Sequence, residues 1–293
     1  MSKKKALQLL VRLAVSGLAL YLIFKGVDFS LLVREVRGAR LWALALSLGC
    51  ILVNYVFSSY RWQALAQVRG IRAPLAKFIR LYFMGSFFNN FLPTSVGGDV
   101  VKAYKLAGTT DKKVDAVSSV FMERLTGVLV LALISWGGFL YYFRLTAVLI
   151  SIGLLGLGAV GLWLAPRIAQ LHPTLLQFYN SVLSYREARA VLLRAIWTSF
   201  IVQFFAIATQ YLVFVALGVK VSYLYCLFVV PLITVASMAP ISVNGLGIQD
   251  GLYVFFFERV GVPSEMALAV SFVYHALRLS SSLIGGVLYL LKK

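Results

Sequence analysis

The chain has 293 residues, 61% of them hydrophobic and 13% charged, with a mean hydropathy of +0.88 and a formal net charge of +18. Soluble domains carry about a quarter charged residues, so this composition excludes an ordinary water-soluble domain. A basic excess in a soluble protein would suggest nucleic acid, but here the cations cluster between long uncharged runs, as loop charges of a membrane protein do, and no nucleic-acid partner is expected.

A helix that crosses a bilayer needs ~20 mostly apolar residues. Met1-Ser2-Lys3-Lys4-Lys5 leads into the first such run, residues 6–24. Arg12 interrupts it near one end, where it can snorkel. No small-x-small cleavage site follows, so an uncleaved helix is expected rather than a signal peptide. Leu41–Tyr60, Leu125–Phe143, Leu145–Ala165 and Ala195–Val219 are free of charge, and Met266–Leu291 carries only His275 and Arg278. The expectation is an all-α polytopic membrane protein with about six full crossings. Cys50 and Cys226 fall inside apolar runs and read as small buried hydrophobes; no metal spacing and no cofactor motif is present.

Two uncharged segments do not read as ordinary crossings. Leu81–Gly98 contains Asn89, Asn90, Pro93, Gly97 and Gly98, and Val221–Gln249 contains Pro231, Pro240, Asn244, Gly245 and Gly247. Such residues break helices, and broken backbone at membrane depth survives only inside protein or beside a wet cavity. Two re-entrant helical hairpins are expected, at about 81–106 and 221–258. With the N-terminus inside and each hairpin returning to its own side, 18 cations fall inside, 7 outside and three within spans. That excess fits the positive-inside rule and places both termini in the cytoplasm. The inside set includes Arg61 and Lys102.

Leu92-Pro93-Thr94-Ser95-Val96-Gly97-Gly98 and Ala239-Pro240-Ile241-Ser242-Val243-Asn244-Gly245 share P-x-S-V-x-G, 147 residues apart. Downstream of each comes a span with Arg-Leu-Thr/Ser, at Arg124 and at Arg278. Matched interrupted segments in two halves point to an inverted repeat. The expected domain organisation is a single transmembrane domain of two halves, 1–143 and 144–293.

The chemistry is expected at the two broken turns. A helix N-terminus at mid-membrane suits a phosphate, and Gly97, Gly98, Gly245 and Gly247 let backbone approach a ligand closely. The alternative is that these glycines only make tight turns. Arg124 and Arg278 fall deep within spans, where a guanidinium is costly and functional by default and matches phosphate two-pronged. Structural pairs are the alternative: Arg124 with Asp99, or Arg278 with Glu123. Asp99 reads first as a helix-capping acid. Glu123 and Asp250 are the other acids near the turns, and His275 shares a helix face with Arg278. Asn90, Ser95, Ser242 and Asn244 could bond a headgroup or each other.

The run from Phe88-Asn89-Asn90-Phe91-Leu92-Pro93 to Lys102-Ala103-Tyr104 resembles the lysylphosphatidylglycerol synthase transmembrane, or flippase-like, family. Glu123-Arg124-Leu125-Thr126-Gly127, Asn244 to Gly251 and Leu283 to Tyr289 extend the resemblance over nearly the whole chain. Gln249-Asp250 stands where the family often has a basic residue and Glu. Arg278 stands one turn from the family's common arginine slot. The resemblance implies a lipid translocase of the inner membrane. The chain ends at Lys293, so the soluble aminoacyl-transferase domain of larger members is expected to be absent, and no enzyme activity is expected.

The expected function is therefore translocation of a phosphate-bearing lipid, either an aminoacylated phospholipid or a polyprenyl-phosphate-linked sugar. The partner is a membrane lipid with an anionic or lipid-linked headgroup, and a homo-oligomer is left open. The alternatives are an integral-membrane transferase acting on a lipid phosphate and a non-transporting scaffold of a lipid-synthesis complex.

Overall fold

The computed structural model describes residues 37–91, 97–108, 112–238 and 245–291. The expected first span, residues 6–24, and the turn residues Ser95, Ser242 and Asn244 lie outside them.

Every regular element in the described residues is helical. In chain order they are α1 (Leu41–Val68), α2 (Leu75–Phe91), α3 (Gly97–Ala107), α4 (Lys113–Ala169), α5 (Pro173–Leu183), α6 (Arg189–Ala216), α7 (Tyr223–Ser237), α8 (Ile248–Phe257) and α9 (Ser264–Leu290). Among the described residues, α1, Lys113–Gly137 of α4, α6 and α9 are long and apolar enough to cross a bilayer. A helix satisfies its own backbone groups, which is what hydrocarbon demands of a spanning segment.

The order of elements repeats. A 28-residue helix, a shorter one, a break, a short one and a long one occur as α1 to α4 and again as α6 to α9. Even the stops match. α1 and α6 both end on a glycine of positive φ, Gly70 (68°) and Gly218 (72°). At each, the following N–H reaches back five residues, Ile71 to Ala66 O and Val219 to Phe214 O, the left-handed stop that only glycine makes without strain.

α1 and α6 pack antiparallel. Ser47 donates to Thr209 O at 2.9 Å, Asn54 to Val202 O at 2.7 Å and Arg61 to Ser199 Oγ at 2.6 Å, so one number rises as the other falls. The first helix of each pair, α2 and α7, crosses over between the halves. α2 lies on α9, where Arg80 donates to Leu288 O and Gly285 meets the Phe83 carbonyl. α7 lies on α4, where Phe228 meets Gly137. Each half has its own large apolar core. One joins α1 to α4 around Trp62, Phe78 and Leu106, and the other joins α6 to α9 around Phe214, Tyr253 and Phe257.

Some boundaries differ from expectation. α1 runs on past Tyr60 to Val68, carrying Arg61 into the interior. α2 begins at Leu75, not Leu81. α4 is continuous where a boundary at Arg144 was expected. A straight helix of 57 residues would run about 85 Å. Yet Ser181, in the helix that follows it, donates to Asp115 near its start at 2.8 Å. The axis of α4 therefore turns back on itself and forms two legs rather than one rod.

Candidate functional site

The first hairpin is α2 and α3. Its register is fixed by three levels of contact: Gly85 against Gly98, Tyr82 against Lys102, and Phe78 with Leu106 in one apolar cluster. The close approach at Gly98 is a steric requirement, because a Cβ there would lie 1.9 Å from the Gly85 carbonyl oxygen. Asn89 accepts from the Gly98 N–H at 2.7 Å and caps the second helix. The second hairpin, α7 and α8, closes the same way. Gly245 (φ 83°) abuts Ser237, and Tyr225 donates to the Phe256 carbonyl.

Between the two halves lies a polar cavity of about 300 Å³. α1 contributes Asn54, Tyr55, Ser58 and Arg61. The first hairpin contributes Tyr82, Ser86, Asn89, Asn90, Asp99 and Lys102. α4 contributes Glu123 and Arg124, and Arg278 comes from α9. A smaller space of about 250 Å³ shares Asn89, Arg124, Met238 and Arg278 with it and reaches Ser237 and Gln249 of the second hairpin. Arg124 and Arg278 thus face a common space.

The charges in this space form a chain. Glu123, 3% exposed, accepts from Arg61 through Oε1 and from Lys102 through Oε2, the latter at 3.3 Å. Lys102 turns also to Asp99 Oδ1 at 2.9 Å, and the other Asp99 oxygen lies 2.8 Å from Arg124 Nε. Arg61 rests on Ser199 and over Gly127, and Lys102 sits under the Trp62 and Tyr82 rings. Among the described residues of the cavity walls, four cations stand against two carboxylates, an excess of two positive charges. A lining with this excess of positive charge favours an anion in the cavity.

This arrangement decides between the structural pairs considered from sequence. Arg124 meets Asp99, as one alternative had it. Arg278 does not pair with Glu123, whose partners are Arg61 and Lys102; the Arg278 guanidinium lies over the Tyr274 ring instead. Asp99 occupies the first turn of α3. Gly97 and Gly98 are buried at its start, where Gly98 serves close helix packing. Asn90 donates to the Arg278 carbonyl at 3.4 Å and ties the first hairpin to α9.

Asp250 and His275 lie apart from the cavity walls. Asp250 is fully buried, accepts from the Gly247 N–H at 2.8 Å and Ser271 Oγ at 2.6 Å, and sits 3.3 Å from His275 Nε2. Gly247 (φ 81°) is the residue before α8. The four residues brace α8 against α9. Two residues at the centre of the charge chain, Arg61 and Lys102, belong to the inside set of the charge count and are not among the site residues expected from sequence. The available signals were a cation directly at the end of an uncharged run and a lysine one helical turn after Asp99.

The sequence profile of the lysylphosphatidylglycerol synthase TM region matches residues 9–286. The chain is also similar to a UPF0104 membrane protein of Pyrococcus horikoshii, 22% identical over 324 aligned positions covering 96% of each chain. No solved structure matches. A match over nearly its full length, on the helices that build this cavity, makes the chain a member of the lysylphosphatidylglycerol synthase transmembrane-region family.

Proposed function

We propose that this protein moves a phosphate-bearing lipid between the leaflets of the inner membrane, with the polar cavity sheltering the headgroup. The observation that carries the proposal is the excess of cations over carboxylates among the described residues that line the cavity between the two halves. Arg124 and Arg278 would take the phosphate, since guanidinium meets phosphate oxygens two-pronged. Asn90 and the hairpin N-terminus at Gly97-Gly98-Asp99 would hold the frame around it.

In this reading the hairpins α2–α3 and α7–α8 are re-entrant and dip from opposite faces, because the helices they follow, α1 and α6, run antiparallel. The two halves then rock about the cavity. Both termini are cytoplasmic and the chain carries out no chemistry on the lipid. The family's description names lysylphosphatidylglycerol, which makes an aminoacylated phospholipid the first candidate and a polyprenyl-phosphate-linked sugar the second.

The test is reconstitution into vesicles with headgroup-labelled lipids. Leaflet exchange without chemical change supports translocation. Product formation on addition of a sugar or phosphate donor would establish the transferase instead, and neither result would leave the scaffold.

A further inference from the structure

A second space adjoins the polar cavity. It is an apolar groove of about 670 Å³ between α3, α4 and α5. Val100, Ala103, Tyr104 and Ala107 line it from α3 at helical spacing. Val117, Val120 and Phe121 line it from α4, and Phe178 closes one side. Several of these are open: Val100 is 63% exposed and Tyr104 75%. Two residues, Asp99 and Arg124, belong to the walls of both spaces. Their ion pair is the partition between a charged chamber and an apolar one.

That adjacency matches one ligand chemistry: a polar phosphate joined to acyl chains. Resting on the translocation reading above, we propose that the groove is the lateral doorway for the lipid's acyl chains. The Asp99 carboxylate occupies Arg124 in place of the lipid phosphate until the lipid arrives. Three features support this. Asp99 bonds Lys102 through its other oxygen, so it retains a partner when Arg124 turns to a phosphate. Lys102 keeps Glu123 as well, so the exchange strands no buried charge. The groove runs along α4 from Lys113 to Arg124, about 17 Å, a length that suits an acyl chain.

An acyl chain gains little by leaving lipid for a groove, because both are apolar. The phosphate must supply the preference. This gives a test on the full-length protein in vesicles of digalactosyldiacylglycerol, a host lipid without phosphate. Two probes carry the same photoreactive diazirine tail: phosphatidylglycerol, and diacylglycerol, which lacks phosphate. The phosphatidylglycerol probe is expected to label Tyr104 and Phe121 roughly tenfold more than the exposed Trp197 and Leu193 of α6, the scale of one charge-assisted hydrogen bond. The diacylglycerol probe is expected to label all four evenly. Asp99→Asn, which weakens the internal competitor, is expected to raise phosphatidylglycerol labelling of the groove severalfold, whereas a purely structural pair would lower it.

Even labelling by both probes overturns the proposal. So does a groove that neither probe reaches, the result expected if residues 1–36 cover it. Leaflet exchange with an unlabelled groove would overturn the doorway alone. A labelled groove without exchange would support the doorway and overturn translocation.

Discussion

Glu123 holds two buried cations, Arg61 and Lys102; Lys102 also meets Asp99, and Arg61 meets no second carboxylate among the described residues. Glu123→Gln leaves Arg61 with Ser199 and Lys102 with Asp99, and buries one uncompensated charge. Breaking a buried pair costs about 3 to 5 kcal/mol, so a marked drop in the thermal unfolding midpoint in detergent is expected; an unchanged midpoint would show that water, not Glu123, balances these cations. Asp99, Glu123, Arg124 and Arg278 were legible in the sequence because each interrupts or borders an apolar run. Arg61 and Lys102 were not, because a cation at the end of such a run can snorkel to the surface as readily as it can pair inside. Only the partner's position in space separates the two outcomes.

At the scale of elements, glycine sets how closely helices approach. A Cβ at Gly98 would collide with the Gly85 carbonyl, and one at Gly285 with the Phe83 carbonyl, each at 1.9 Å. Backbone cannot yield as a flexible side chain can. Gly98→Ala is expected to open the first hairpin and cost about 3 kcal/mol, read as loss of monodisperse protein on heating in detergent, while Gly161→Ala, with open space around its Cβ, should be silent. The breaks in both hairpins were legible from Pro, Gly and Asn in otherwise uncharged runs. The start of α2 was not. Lys77 and Arg80 resemble loop cations, yet they lie on the helix, and Arg80 folds back to the Leu288 carbonyl. The cap made by Asn89 on Gly98 also depends on a tertiary turn that no periodicity reveals.

For the whole molecule, repetition was the most legible feature. P-x-S-V-x-G recurs at 147 residues, and the helix stops at Gly70 and Gly218 recur at nearly the same interval. What the sequence could not show is that α2 packs on α9 and α7 on α4, each on the long helix of the other half, since those contacts link residues some 90 to 200 positions apart. The proposed orientation makes a direct prediction. With Cys50 and Cys226 replaced by Ala, a thiol at Lys220→Cys should react with an impermeant reagent applied to intact cells. A thiol at Arg186→Cys, on the other side of α6, should react only after lysis.

The account rests on the cavity binding a lipid phosphate through Arg124. Leaflet exchange of headgroup-labelled phosphatidylglycerol, measured in vesicles for the parent protein, Arg124→Gln and Arg186→Gln, tests this most directly. Exchange should fall at least about tenfold in Arg124→Gln, the value of one charge-assisted contact, and stay unchanged in Arg186→Gln, whose arginine is exposed outside the cavity. Exchange at the parent rate by folded Arg124→Gln would contradict the account.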